Sequence, residues 1–363
     1  MKRFYATLTS FTLLLTSSSL SAKTQQTYYC ESIGEGPGYV HHNARLGGLS
    51  PARIDTCGDW DICLSGSFIY WNIMQENMGI ASLQTGDSPQ LALTTYQQVD
   101  FQPGFKVTLS SNVSGDDWIG KAEYTRLHGD TTTETAPPPN GNMVVNPGFT
   151  SPGAVNRPAS FVTSNFKVSL DTIDLLLTRP SYVSHLLIFT PYVGSKFGFI
   201  DQHLRTATLL NLLGTQPIPA QFDTDTWFVG PKLGMDLEWI LGSGFKSFSA
   251  FSLSLLYQRQ KLHADFYNST NVNDNNLDLQ RTYRFFRPNL QMALGLSWGT
   301  YFLDKALHAR IFAAYEVDYY MAQNVAKSAT LENFYATSSP SYSSVALGDL
   351  VFHGLTTGLS FDF

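Results

Sequence analysis

The chain holds 363 residues, 43% hydrophobic, 13% aromatic and only 14% charged, with a formal net charge of −6. Soluble domains carry roughly 25% charged residues, so the balance excludes a disordered chain and implies an outer surface that does not all face water. The acidic excess argues against a nucleic-acid partner, which would need a basic face.

Residues 1–22 read as a cleaved secretory signal: Lys2 and Arg3 lead, Phe4 to Leu15 form a short apolar run, and Thr16 to Ala22 are mostly small. Cleavage is expected after Ala22, with Ser21 as the fallback, and takes the charge from −6 to −8 because Lys2 and Arg3 leave. The apolar run is too short for the ~20 residues a membrane helix needs, and no later stretch is longer. A helical membrane protein is therefore excluded, and an oxidising compartment is implied.

All three cysteines, Cys30, Cys57 and Cys63, fall early in the mature chain. Cys57 and Cys63 are close enough for a small disulfide loop, which leaves Cys30 to crosslink another chain or stay reduced. Their spacing matches no metal motif, and His41 and His42 lack nearby carboxylate or cysteine partners, so no metal and no cofactor are expected. Residues 23–60 form a periplasmic or plug-like segment ahead of a domain spanning 61–363.

From there the chain alternates with a period of two, the strand signal. Strands are read near 62–76, 102–111, 117–128, 165–178, 187–200, 226–240, 245–260, 288–299, 305–321 and 351–363. In WFVGPKLGMDLEW, Trp227, Val229, Pro231, Leu233, Met235, Leu237 and Trp239 share one face. Leu307 to Tyr319 repeats the pattern, and the chain ends with Leu355, Leu359, Phe361 and Phe363 in phase.

Soluble strands average about 5–6 residues. From Trp227 to Trp239 the strand covers roughly 40 Å. Tilted by ~40°, that is about 30 Å of membrane depth, a little more than the ~25 Å apolar band of an outer-membrane barrel. The long and short connections alternate strictly, the asymmetry of long outer loops and short periplasmic turns. The expectation is an all-β fold, a transmembrane antiparallel up-and-down barrel of about ten strands, with twelve or more open because long connections can hide hairpins. Trp118, Trp227, Trp239, Trp298, Tyr319 and Phe363 are expected in its aromatic girdles. Pro231 implies a bulge, since it cannot donate a ladder bond. The 165–178 and 187–200 strands alternate poorly, with Ile173, Leu175, Leu176 and Leu177 falling on both faces.

The faces opposite the apolar ones carry Lys106, Lys121, Glu123, Lys232, Asp236, Glu238, His308, Arg310, Glu316, Asp318 and Asp362. Charge there implies a polar lumen, because Lys or Arg on the lipid face would cost ~2–4 kcal/mol at mid-bilayer. Such a lumen is either an ion-conducting pore or a mesh of salt bridges filling a narrow barrel. The pairs Asp201/His203 and His263/Asp265 stand near loop starts, where a rim protease would need them, but no nucleophile motif accompanies them. No enzymatic activity is expected.

The stretches FQPGFKVTL, WIGKAEYTRLHG, PYVGSKFGFIDQ, WFVGPKLGMDLEWILGSGFKSFSAFSLSLLYQR and ALGLSWGTYF resemble the Legionella-type major outer-membrane protein family, also found in chlamydia-like bacteria, from about Asp59 to Phe363. The resemblance implies an outer-membrane, pore-forming barrel and supplies no catalytic residues. The expected partners are outer-membrane lipid and small hydrophilic solutes and ions, with a homo-oligomer open through Cys30. The expected function is passive diffusion with a weak cation preference. The alternative is a structural or adhesive barrel working through loops such as TTTETAPPPNGN.

Overall fold

Alternation over ten long segments closes the chain on itself, so that every wall strand has a hydrogen-bonded neighbour on both sides. The computed structural model describes residues 50–54, 56, 61–85, 92–97, 99–113, 117–136, 143–147, 149, 159–210, 217–266, 277–326 and 347–363. The expected signal, Cys30, His41, His42, Cys57 and the proline-rich connection lie outside them, so the Cys57–Cys63 pairing stays an expectation.

The strands in chain order are β1 (Ser50–Pro51), β2 (Ile62–Gln75), β3 (Gly79–Thr85), β4 (Ala92–Tyr96), β5 (Val99–Val113), β6 (Trp118–Thr135), β7 (Met143–Pro147), β8 (Ala159–Thr178), β9 (Ser181–Ser184), β10 (Leu187–Leu210), β11 (Ile218–Gly242), β12 (Phe245–Phe266), β13 (Leu277–Phe302), β14 (Leu307–Asn324) and β15 (Gly348–Asp362). The closed wall runs β10-β11-β12-β13-β14-β15-β2-β5-β6-β8 and back to β10, antiparallel throughout. The long connections do hold extra strands, as the sequence left open, but these stay out of the wall. β3, β4 and β7 form a small sheet at the long-connection end, joined to β8 through Val145 and Ala159. β1 pairs with β9 at the short-turn end.

Each wall strand of the reading appears, but several are far longer than expected. β11 spans 25 residues and begins at Ile218, not near 226. The cause is a change of phase. Along the lower part of β11, Leu233, Met235 and Trp239 point out while Lys232, Asp236 and Glu238 point in. Above Trp227 the outward residues become Asp225, Asp223 and Gln221, and the inward ones include Phe222 and Ala220, continuing the face that Phe228 begins. β12 inverts likewise: Phe251, Leu253 and Leu255 face out below, Arg259 and Lys261 above. The lower barrel is apolar outside and polar inside, as lipid demands; the upper barrel is polar outside with a core inside, as water demands.

Two aromatic bands mark the boundaries. Trp227 packs edge-on against Tyr257 at 5.7 Å, and Tyr257 lies 5.4 Å from Phe286, with Phe199 opposite Trp227 in register. Tyr319 is at this upper level, its hydroxyl donating to Asp349. Trp239, Trp298, Phe245, Trp118 and Phe363 stand near the short-turn end, with Phe245 and Trp298 paired at 6.4 Å.

The bulge expected at Pro231 is absent. Val229 pairs with Tyr257 and Lys232 with Ser254, a constant register across the proline, so the wall tolerates one unpaired step without inserting a residue. Beside it, a Cβ on Gly230 would lie 2.0 Å from the Leu255 carbonyl oxygen, so the close approach of β11 and β12 depends on glycine.

Candidate functional site

Because polar residues face inward below the upper girdle, the lower lumen collects charge from eight wall strands. Lys106 of β5 donates to Glu316 of β14, and Lys121 lies 3.1 Å from Glu123 within β6. Glu238 of β11 holds Lys246 at 3.0 Å and Arg310 at 3.1 Å. At the short-turn rim His308 Nδ1 is 2.8 Å from Asp362. Asp236 faces the same space and makes no ion pair among the described residues. Lys106, Glu316, Lys121, Glu123, Asp236, Glu238 and Arg310 border a cavity of about 310 Å³, and a second of about 210 Å³ at the short-turn mouth, reached by Lys246 and Asp362, shares Cys63, Ser110, Lys121, Asp236 and Glu238 with it. Arg53 and Asp61, 3.5 Å apart, edge that mouth, and Ala52 is tied to it by a bond from its N–H to the Pro180 carbonyl.

Deeper in, the charges become fully buried. Lys232 donates to Asp174 at 2.6 Å and also to Gln291. Lys196 is entirely shielded, with its ammonium 3.5 Å from Asp318 and 3.9 Å from Asp174, and it makes no hydrogen bond to the protein. Asp318 in turn accepts from Asn289 at 2.6 Å and Gln291 at 2.8 Å. Asp174, Lys196 and Lys246 were not among the inward charges expected. Asp174 and Lys196 lie in the two strands whose alternation is blurred: Leu176 faces inward beside Asp174, while Ile173, Leu175 and Leu177 face lipid.

A roof closes this compartment. Trp71 sits with the Lys106 ammonium 4.8 Å from its ring and its indole N–H on Thr356 at 3.1 Å; Tyr320 has the Lys196 ammonium at 5.5 Å and donates to Asp318. Each ring offers its π face to a cation and otherwise packs among apolar side chains. Beyond them Phe228, Phe222, Phe266, Phe166, Phe352 and Leu256 form one buried cluster, with Phe228 5.6 Å from Tyr320 and Phe222 5.2 Å from Phe266. Buried glutamines are bonded within it: Gln260 to the Gln323 carbonyl, Gln323 to Gln258, and Gln75 to Gln202. The uniformly polar lumen expected from alternation is thus corrected: its upper half is an apolar core laced with amide bonds.

The expected inward residues Lys106, Lys121, Glu123, Lys232, Asp236, Glu238, Arg310, Glu316 and Asp318 all border the larger cavity, while Asp362 borders the smaller one and holds His308 at the short-turn rim. The Asp/His pairs point elsewhere. Asp201, His203, His263 and Asp265 are on the outward face above the upper girdle, His203 bonded to Asp223 at 2.7 Å. Among the described residues they do not face a common cleft.

Residues 55–363 match the family described as Legionella pneumophila major outer membrane protein precursor. No curated protein matches the chain. Among solved structures, the Pseudomonas putida toluene transporter TodX is similar at 12% identity and a TM-score of 0.33, covering 92% of this chain and 99% of that chain. A Pseudomonas aeruginosa FadL homologue gives 11% and 0.31 over 92% and 99%, and the CymD monoaromatic hydrocarbon channel 8% and 0.32 over 92% and 96%. Superposition at this level is loose, and what those channels carry does not transfer to this chain.

Proposed function

The chain belongs to the Legionella major outer membrane protein family and is an outer-membrane β-barrel, and from that premise we propose that it is a non-enzymatic, gated channel for small hydrophilic solutes and ions. The carrying observation is the charged cavity of about 310 Å³, which shares the walls Cys63, Ser110, Lys121, Asp236 and Glu238 with a second cavity at the short-turn mouth. Buried ion pairs are seldom more stabilising than apolar side chains of the same volume. The upper half of this barrel shows that the same wall accepts an apolar filling. Arg287, buried and bonded to Gln260 at 3.2 Å, is a charge at the level of the core. The inward ion pairs, however, gather where the membrane is crossed, which fits a path for hydrated solutes with the apolar core beyond Trp71 and Tyr320 as its closed extracellular gate.

That same core favours a second reading, a structural barrel that holds surface loops outside the cell. Single-channel recording of the folded chain in planar bilayers separates the two. Rare discrete openings in wild type, made frequent by Phe228→Ala and Phe352→Ala, are the expected result. Silence in wild type and in both folded variants would end the channel reading and leave the structural one.

A further inference from the structure

We propose that His263, Asp265 and Asp278 bind a divalent transition-metal ion of the zinc class on the extracellular wall of the barrel. His263 and Asp265 are two apart on β12 and so share its outward face; Asp278 on β13 stands directly opposite Asp265. His263 Nε2 is 3.3 Å from an Asp265 oxygen and 2.9 Å from an Asp278 oxygen, and all three atoms lie within 4.8 Å of one another. With metal–ligand bonds of about 2.0–2.2 Å, tetrahedral edges measure about 3.3–3.6 Å, near the two distances from His263 Nε2, so the three atoms form a face of the polyhedron once the two carboxylates draw onto one ion. An imidazole nitrogen with two carboxylates suits a zinc-class ion better than calcium or magnesium, which prefer all-oxygen sets.

Two independent features say that the cluster is more than surface charge. First, Asp265 and Asp278 are like charges at directly opposed positions of an antiparallel pair, an arrangement that destabilises a sheet unless a cation lies between. Second, although the His263 ring is 44% exposed, its Nε2 atom is covered by the two carboxylates without a hydrogen bond to either, so neither oxygen lies along its ring N–H direction. The other two His–Asp contacts behave differently: His203 with Asp223 and His308 with Asp362 are ordinary hydrogen bonds of 2.7 and 2.8 Å. Gln280 donates to the second Asp278 oxygen at 3.2 Å, which steadies the carboxylate with its first oxygen toward His263. A bound ion would cross-link β12 to β13 at the foot of the connection spanning 267–276.

The competing account is a protonated His263 held between two carboxylates, which needs no metal. The full chain, folded in detergent micelles, is titrated with zinc chloride by calorimetry, alongside three variants. Wild type and His203→Ala should take up zinc with one more micromolar equivalent than His263→Ala, and Asp278→Asn should weaken that equivalent about tenfold or more. Zinc should raise the unfolding midpoint of wild type and not that of His263→Ala. Equal uptake by wild type and His263→Ala, or no saturable uptake at all, would overturn the site. Asp278→Asn is nearly isosteric and repeats the decision should His263→Ala fold poorly.

Discussion

Asp318 accepts hydrogen bonds from Asn289, Gln291 and Tyr320 and lies 3.5 Å from the shielded Lys196 ammonium. Asp318→Ala removes the acceptor of the Gln291 and Tyr320 bonds and the nearer counter-charge of the buried Lys196, so a loss of about 3–5 kcal/mol is expected in denaturant unfolding from micelles, with Asp318→Asn milder. A second carboxylate works the opposite way. Partial burial and the facing Asp225 raise the Asp201 carboxyl above the ordinary carboxylate range, just outside the upper girdle. A raised folded-state pKa means that stability rises as pH falls through that value, and that the ionised form costs stability above it. Asp201→Asn should therefore raise the unfolding midpoint near about pH 7, by less than about 1 kcal/mol because the group is partly exposed, and the gain should shrink near about pH 4. Asp130 has the reverse sign: its hydrogen bond with Lys167 holds its carboxyl below the ordinary range, a small contribution lost in acid. Which side chains face inward was readable wherever a charge interrupts an apolar alternation, as at Lys232 or Glu316. Asp174 and Lys196 escaped because their strands are apolar on both faces near the roof.

Strands extend beyond the lipid boundary, and the hydrophobic phase flips where they cross it. That flip explains why the ten wall strands were legible in the sequence but their lengths were not. A reading that keeps one apolar face in phase stops β11 at Trp227, because Asp225 and Asp223 then occupy that face, although Phe222 and Phe228 continue the alternation on the other. The nine residues from Ile218 to Thr226 add roughly 20–25 Å of barrel above the girdle. Outward positions on one strand should accordingly respond in opposite ways. Leu253→Lys in β12 faces lipid and should cost ~2–4 kcal/mol, whereas Lys261→Leu, eight residues further along the same face, should change stability by less than about 1 kcal/mol. Reversible unfolding in lipid vesicles checks both. A gain of ~2–4 kcal/mol for Lys261→Leu would put Lys261 inside the bilayer and displace the upper girdle from Trp227, Tyr257 and Phe286.

The molecule joins a membrane barrel to a water-exposed one through a continuous wall, and on the channel reading proposed above its ion preference follows from the charge of the lower part. From the sequence, the inward face leaned acidic and implied weak cation preference. Lys196 and Lys246 add two inward cations and Asp174 adds one anion, which brings the lumen close to balance. With most of these charges locked in pairs, neither sign dominates the field along the path. A wild-type reversal potential near zero across a potassium chloride gradient is expected. Glu238 is the lever on that balance, since it holds both Lys246 and Arg310 near the periplasmic mouth. Glu238→Gln frees both cations and should drive the reversal potential toward anion preference, while Lys246→Gln should move it toward cations. If both variants kept the wild-type potential, current would not pass the paired lumen, and any conductance would have to follow another route.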